Sequence, residues 1–400
     1  MSFVSVSARS RLADAPALRA IGGMLALASA MGIGRFAYTP ILPTMAGALG
    51  LTKTGAGLIA SANFAGYLAG AVLAMLPAIS GRRRAWFVGA LALGAVTTAA
   101  MGFVAMMPAF MVLRFCGGVA SAFVLVLGSA LVLDQLAAAG RSGLAAVHFA
   151  GVGVGIAASA LLVDVMQAQG AGWRLLWLAC GAIAGATALV AAWLVPEADA
   201  SLRASVVTPT SARDSSRGLG RLSLCHGLFG FGYVVTATFL VAAVRGAPQA
   251  RTLEAVVWVV VGVAAIPSTA LWARLGGRLG VLRAYGVACL LEAAGVVAGG
   301  VWPESFGALV AAVLLGGTFM GITALGFAAA RALAPDRHRR AFALITAGFG
   351  VGQILGPVVA GWLIDRTGGF LLPSLIAAAA LLTAALLAAT TPHGLQERNG

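Results

Sequence analysis

The chain has 400 residues, of which 60% are hydrophobic and 10% charged, with a net charge of +14 and a mean hydropathy of +0.98. A soluble domain carries roughly a quarter charged residues, so that class is excluded. Apolar runs of about 20 residues recur along the whole chain, each long enough to cross a hydrocarbon core as a helix. No segment shows the ten-residue alternation of a membrane β-barrel.

In chain order, MSFVSVSARSRLADAPALRA reads as a basic lead-in that stays on the protein rather than a cleaved signal. Twelve spans follow, centred near residues 30, 66, 96, 122, 155, 184, 233, 263, 292, 318, 351 and 381. The expected fold is therefore all-α integral membrane, with twelve transmembrane helices in two six-helix bundles. The polar stretch 196–220 separates an N-terminal bundle, 1–195, from a C-terminal bundle, 221–400, and reads as a linker.

Arginines gather in every second connection, as in GRRR at 81–84 and DRHRR at 336–340. Nineteen basic residues fall on one side against five on the other, which places both termini in the cytoplasm. This distribution also argues against a nucleic-acid footprint. The halves repeat: Gly32-Ile33-Gly34-Arg35 aligns with Gly230-Phe231-Gly232-Tyr233, Gly117-Gly118 with Gly316-Gly317, and the glycine run from Gly151 with that from Gly348, at offsets of 197 to 199 residues. Six spans per half make these parallel repeats.

Arg35 lies about 15 residues into the first span, roughly 22 Å along a helix. An ionised group near the bilayer centre costs about 2.5–3.5 kcal/mol on insertion scales, so it faces a cavity or a partner. Two readings stand: a snorkelling arginine or one bonded to backbone carbonyls freed near Pro40, and a cavity charge for an anion. Arg114 lies at similar depth in the fourth span, followed by the small residues Gly117, Gly118 and Ser121, and is either a helix cross-brace or a substrate or proton-coupling group. Two arginines in one bundle, with no acid expected at their depth apart from Asp164, favour an anionic ligand such as a small carboxylate.

In the seventh span, His226, Phe229, Tyr233 and Thr236 share a helical face. Tyr233 occupies the repeat position of Arg35, so Tyr233 and Thr236 are candidate hydrogen-bonding groups for a solute, the alternative being aromatic packing. His226 and His148 are either proton carriers or neutral histidines bonded to a carbonyl. Glu292 sits mid-way along the ninth span among Ala288, Cys289, Gly295 and Val296, a small-residue stripe that should pack on another helix. It is a candidate proton carrier or a protonated structural carboxyl. Cys116, Cys180, Cys225 and Cys289 all lie in apolar runs without CxxC spacing, which leaves no metal or cofactor motif. The Gly-x-Gly-x-Gly run at 151–155 lies inside an apolar span and reads as helix packing, not a phosphate loop.

The opening GIGRFAYTPILPTM, the segment LRFCGGVASAF at 113–123 and FGFGYVVTATFL at 229–240 resemble the major facilitator superfamily and, within it, the uncharacterised YbfB-like bacterial branch. The resemblance implies a cavity lined by the first, fourth, seventh and tenth spans and opened alternately to either side. It also implies that Arg114 is the fourth-span arginine motif and that Tyr38-Thr39-Pro40 with Pro43 is the first-span proline motif. The superfamily's acidic residue in the loop after the second span is missing here, in AMLPAISGRRR and in its repeat. Asp134 pairing with one of Arg82, Arg83 or Arg84 is the candidate gating contact in its place.

The expectation is a secondary-active transporter of a small solute, coupled to protons, in the bacterial inner membrane. Arg35, Tyr38, Arg114, Tyr233 and Thr236 are the candidate substrate-binding residues, and Glu292 and His226 the candidate proton-coupling residues. Expected partners are a small-molecule substrate, membrane lipid and protons, with no nucleic acid, no cofactor and a monomeric state. An enzyme is disfavoured because no His/Asp/Cys constellation recurs on one face. A non-transporting membrane sensor or assembly protein is the alternative.

Overall fold

The computed structural model describes residues 15–197, 216–247, 253–302, 305–334 and 338–391. The lead-in before residue 15, residues 198–215 of the linker and residues 335–337 of the DRHRR connection lie outside them. Among the described residues there is no strand.

The first span is broken. Helix α1 (Pro16–Leu27) passes into a π-helical turn (Ala28–Ile33) and resumes as α2 (Tyr38–Leu49). The remaining spans are α3 (Lys53–Ala74), α4 (Arg83–Ala100), α5 (Met107–Ala138), α6 (Ala145–Ala168), α7 (Trp173–Leu194), α8 (Ser216–Gly246), α9 (Glu254–Leu279), α10 (Val281–Val301), α11 (Ser305–Leu333), α12 (His338–Thr367) and α13 (Leu371–Ala389). All but α4, which opens on Arg83 and Arg84, are long and apolar enough to cross a membrane. Gly280, at φ 87°, alone joins α9 to α10, a left-handed conformation that a side chain would strain.

By contacts, the chain falls into two compact units: residues 1–49 with 66–206, and residues 50–65 with 207–400. In the first unit α1 packs on α6 and α7, and α4 on α5 and α7. In the second, α8 packs on α12 and α13, and α10 on α11 and α13, which is the same pairing one repeat later.

Glycines set these approaches because a membrane offers little hydrophobic drive between helices, and packing needs close backbones. A Cβ on Gly32 would sit 2.4 Å from Cα of Gly155, and one on Gly352 would sit 2.0 Å from the Gly227 carbonyl oxygen. The repeated glycine runs read in the sequence are therefore the seam between the first and fifth spans of each half. Large side chains such as Val112, Leu189 and Leu386 are exposed on the outside of the units, as a lipid-facing surface requires.

Candidate functional site

The break in the first span follows from Pro40. Without an N–H, Pro40 cannot serve the carbonyl four residues back, and its ring crowds that carbonyl. The Thr39 N–H instead donates to Phe36 O at 3.3 Å, and the π-turn upstream is closed by Gly34 N donating to Ser29 O at 2.9 Å. Arg114, from α5, donates Nη1 to Gly34 O at 2.9 Å and Nη2 to Arg35 O at 3.0 Å. Charge-assisted bonds from one planar fork thus satisfy two carbonyls at the break. The carbonyl-bonding role contemplated for Arg35 is filled by Arg114.

Arg35 itself is 3% exposed, and its guanidinium lies 4.4 Å from the ring centroid of Tyr67 and 5.6 Å from that of Phe36. An aromatic face attracts the cation without cancelling its charge. Tyr38 lies beneath Arg114, 5.0 Å from its guanidinium, and 6.4 Å from Trp177. Arg35, Tyr38 and Arg114 therefore form one cluster in the first unit, completed by Tyr67, which the sequence reading did not single out.

Tyr233 and Thr236 part company. Tyr233 stacks on Phe229, Phe349 and Phe319 at centroid distances of 5.0 to 5.9 Å, and its hydroxyl accepts from the Gln353 amide. Thr236 instead lines a small crevice with Phe239, Phe370, Pro373 and Ser374. Gln353, fully buried, was missed because one amide in an apolar span carries no spacing signal.

His226 is fully buried, ringed by Phe229, Tyr285, Phe327 and Phe349, and its Nδ1 lies 3.2 Å from the Tyr285 hydroxyl. Gly326 provides the notch: a Cβ there would be 2.3 Å from the His226 ring. His148 sits in a comparable notch at Gly23 with Nε2 3.0 Å from Ser129 Oγ. Glu292 is 1% exposed, and the Thr318 hydroxyl is 2.9 Å from its Oε2.

The three arginines at 82–84 have separate settings. Arg83 lies 3.8 Å from Asp134, at 34% and 53% side-chain exposure, a pair worth at most about 1 kcal/mol. Arg84 donates to the Val195 and Ala192 carbonyls at 3.1 and 3.0 Å, closing the C-terminal end of α7, and Arg82 is exposed.

Within the second unit, Asp365 near the end of α12 accepts from Lys53 N at 2.9 Å, Thr54 N at 2.8 Å and Thr54 Oγ1 at 2.6 Å. These are N–H groups that a helix leaves unserved at its start, so Asp365 caps α3. Ser61, two turns on, donates to Ile354 O at 2.7 Å. The clamp joins residues more than 290 positions apart, which the sequence alone gives no means of pairing.

Among solved structures, the chain is similar to a point mutant of the nucleoside transporter NupG, with a TM-score of 0.72 and 14% identity over 94% of this chain and 99% of that one. A second NupG structure gives 0.67 and 15% over 94% and 98%. At that identity the likeness is one of fold. No curated protein matches the sequence. The model for the family described as uncharacterised MFS-type transporter YbfB matches residues 27–389. Matched over nearly its whole length, this multi-pass membrane chain belongs to that family of transporters.

Proposed function

We propose that the protein moves a small organic anion across the bacterial inner membrane by alternating access, driven by the proton gradient, with both termini cytoplasmic. The observation that carries the anion is Arg35: a guanidinium deep in a span, at a helix break, lying against ring faces. The acids of the first bundle's spans, Asp134 and Asp164, lie toward helix ends, so the balance at depth is positive. In the conformation described the group is closed off, and binding requires the break to shift. Arg114 holds the break in register through two carbonyls and so orients Arg35. The basic side assignment supports the orientation.

The test is uptake in proteoliposomes of labelled succinate and labelled benzoate, with and without an imposed pH gradient. Wild type is expected to accumulate one of them and Arg35→Ala to lose uptake while keeping its circular dichroism and melting temperature. Undiminished uptake by Arg35→Ala would sink the anion site.

A second reading rests on the stack of Phe229, Tyr233, Phe349 and Phe319 beside the Gln353 amide. Aromatic faces with an amide suit a planar, uncharged ring, and the nucleoside transporter NupG shares this fold. Uptake of labelled uridine that is indifferent to Arg35→Ala and lost in Gln353→Ala would favour this reading over the anion.

A further inference from the structure

The second unit gathers a row of buried polar groups on two of its helices. His226 on α8 meets the Tyr285 hydroxyl on α10 at 3.2 Å, and Cys289, one turn along α10, is in hydrogen-bond contact with Tyr285. Glu292 follows three residues later on the same face. All four are at most 1% exposed. Cys225 on α8 also faces the row. From α11 the neighbour is Thr318, and that helix's charge, Arg331, lies in its last turn. The described length of α13 carries no titratable group. The ionisable residues of α9 and α12 (Glu254, Arg274 and Arg278; His338, Arg339, Arg340, Asp365 and Arg366) lie near the ends of those helices.

The Thr318 hydroxyl has one hydrogen and lies 2.6 Å from the Leu314 carbonyl oxygen and 2.9 Å from Glu292 Oε2. A carbonyl can only accept, so the shorter contact claims the hydroxyl hydrogen. The contact with Glu292 is then a hydrogen bond if the carboxyl is the donor, that is, if Oε2 carries a proton. An ionised carboxylate would meet the hydroxyl lone pairs and lie, dry, in no salt bridge among the described residues, at a cost of several kcal/mol.

The row is also open at both ends. Glu292 Oε1 and His226 Nε2 have no hydrogen-bond partner among the described residues. A buried group left in that state costs about 1–3 kcal/mol. Two such atoms lie at the two ends of the series, one on Glu292 and one on His226.

We infer that the series Glu292, Cys289, Tyr285, His226 is the path of the driving proton, loaded on Glu292 in the conformation described, with Thr318 as the group that holds it there. This rests on the proton-coupled reading above. The transfer balances at each member: the Glu292 O–H gives its proton to the Cys289 sulfur as the thiol hydrogen passes to the Tyr285 oxygen. The Tyr285 hydrogen passes to His226 Nδ1, and His226 Nε2–H releases its own. One proton leaves the series, Glu292 becomes a carboxylate, and the other members return to their starting charge. Tyr285 touches no solute in this scheme; it relays the proton from the Cys289 thiol to the His226 imidazole.

Difference infrared spectroscopy of the purified protein tests the loading without any solute. A neutral carboxylic-acid carbonyl band is expected at a pH where exposed carboxylates are ionised. It should vanish in Glu292→Gln and shift in Thr318→Val, and its absence from wild type would overturn the assignment. In proteoliposomes with labelled succinate, labelled benzoate and labelled uridine, Tyr285→Phe keeps the ring and removes the link. It should retain counterflow exchange of the solute that wild type carries while losing at least tenfold of the accumulation driven by a pH gradient. Gradient-driven accumulation by Tyr285→Phe at the wild-type level would refute the path, as would wild-type exchange that ignores the gradient. Failure of wild type to exchange all three probes would count against the transport reading instead, leaving the infrared result to decide the loading.

Discussion

The two repeats share a helix pairing and diverge at the same aligned position. In the first, Gly32-Ile33-Gly34-Arg35 lies where the span unwinds, and the chemistry is cationic: Arg114 on two carbonyls, Arg35 against Tyr67. In the second, Gly230-Phe231-Gly232-Tyr233 lies in an unbroken helix, and the chemistry is an acid, a phenol and an imidazole. The difference traces to Pro40 and Pro43, which have no counterpart in α8. A duplicated scaffold tolerates different charges as long as each half satisfies its own backbone, and the first half does so by placing an arginine on Gly34 O and Arg35 O at the break.

The glycine seam is the part common to both halves, so breaking it should have the largest effect. A side chain at Gly155 meets the Ala28 carbonyl oxygen at 2.4 Å and Gly32 Cα at 2.8 Å. Gly155→Leu is expected to destabilise the protein by about 3 kcal/mol or more, read as loss of a cooperative melt in detergent, whereas Gly89→Ala, which meets nothing within 4 Å, should melt as wild type. Equal tolerance at the two positions would contradict the packing described.

Next is the staple that sets the first half apart. Arg114→Met should strand the Gly34 and Arg35 carbonyls, costing about 1–3 kcal/mol for each. Arg114→Lys, a point donor in place of a fork, should recover about half in a thermal scan. If methionine melts like wild type, Arg114 does not hold the break.

The smallest effect is expected at the α3 cap. Asp365→Ala removes the acceptor of three bonds and should lower stability by about 0.5–2 kcal/mol. Residues 53–65 of α3 belong to the second unit and residues 66–74 to the first. Loss of the cap should therefore raise the reactivity of a cysteine placed at Thr54 toward a water-soluble maleimide, compared with the same cysteine in the Asp365-intact protein. An unchanged rate would mean the carboxylate does not restrain that end.

Much of this was legible in the sequence because a bilayer leaves few options. Every spanning segment must satisfy its own backbone, so hydropathy dictated helices and their approximate places. Glycines recurring at a fixed offset announced both the duplication and the seam, since small residues in spans mark close helix approach. The stripe around Glu292 pointed to burial on the same ground, and Ala288, Cys289, Gly295 and Val296 are all buried. What tertiary structure alone decided is partnership. That Arg114 rather than Arg35 takes the freed carbonyls, that Asp365 caps a helix from the other end of the chain, and that Tyr285 joins His226 toward Glu292 depend on which faces meet across helices. Spacing along one helix fixes neighbours on that helix; a hydrogen bond between two needs their rotation and depth, and those come from packing the whole bundle.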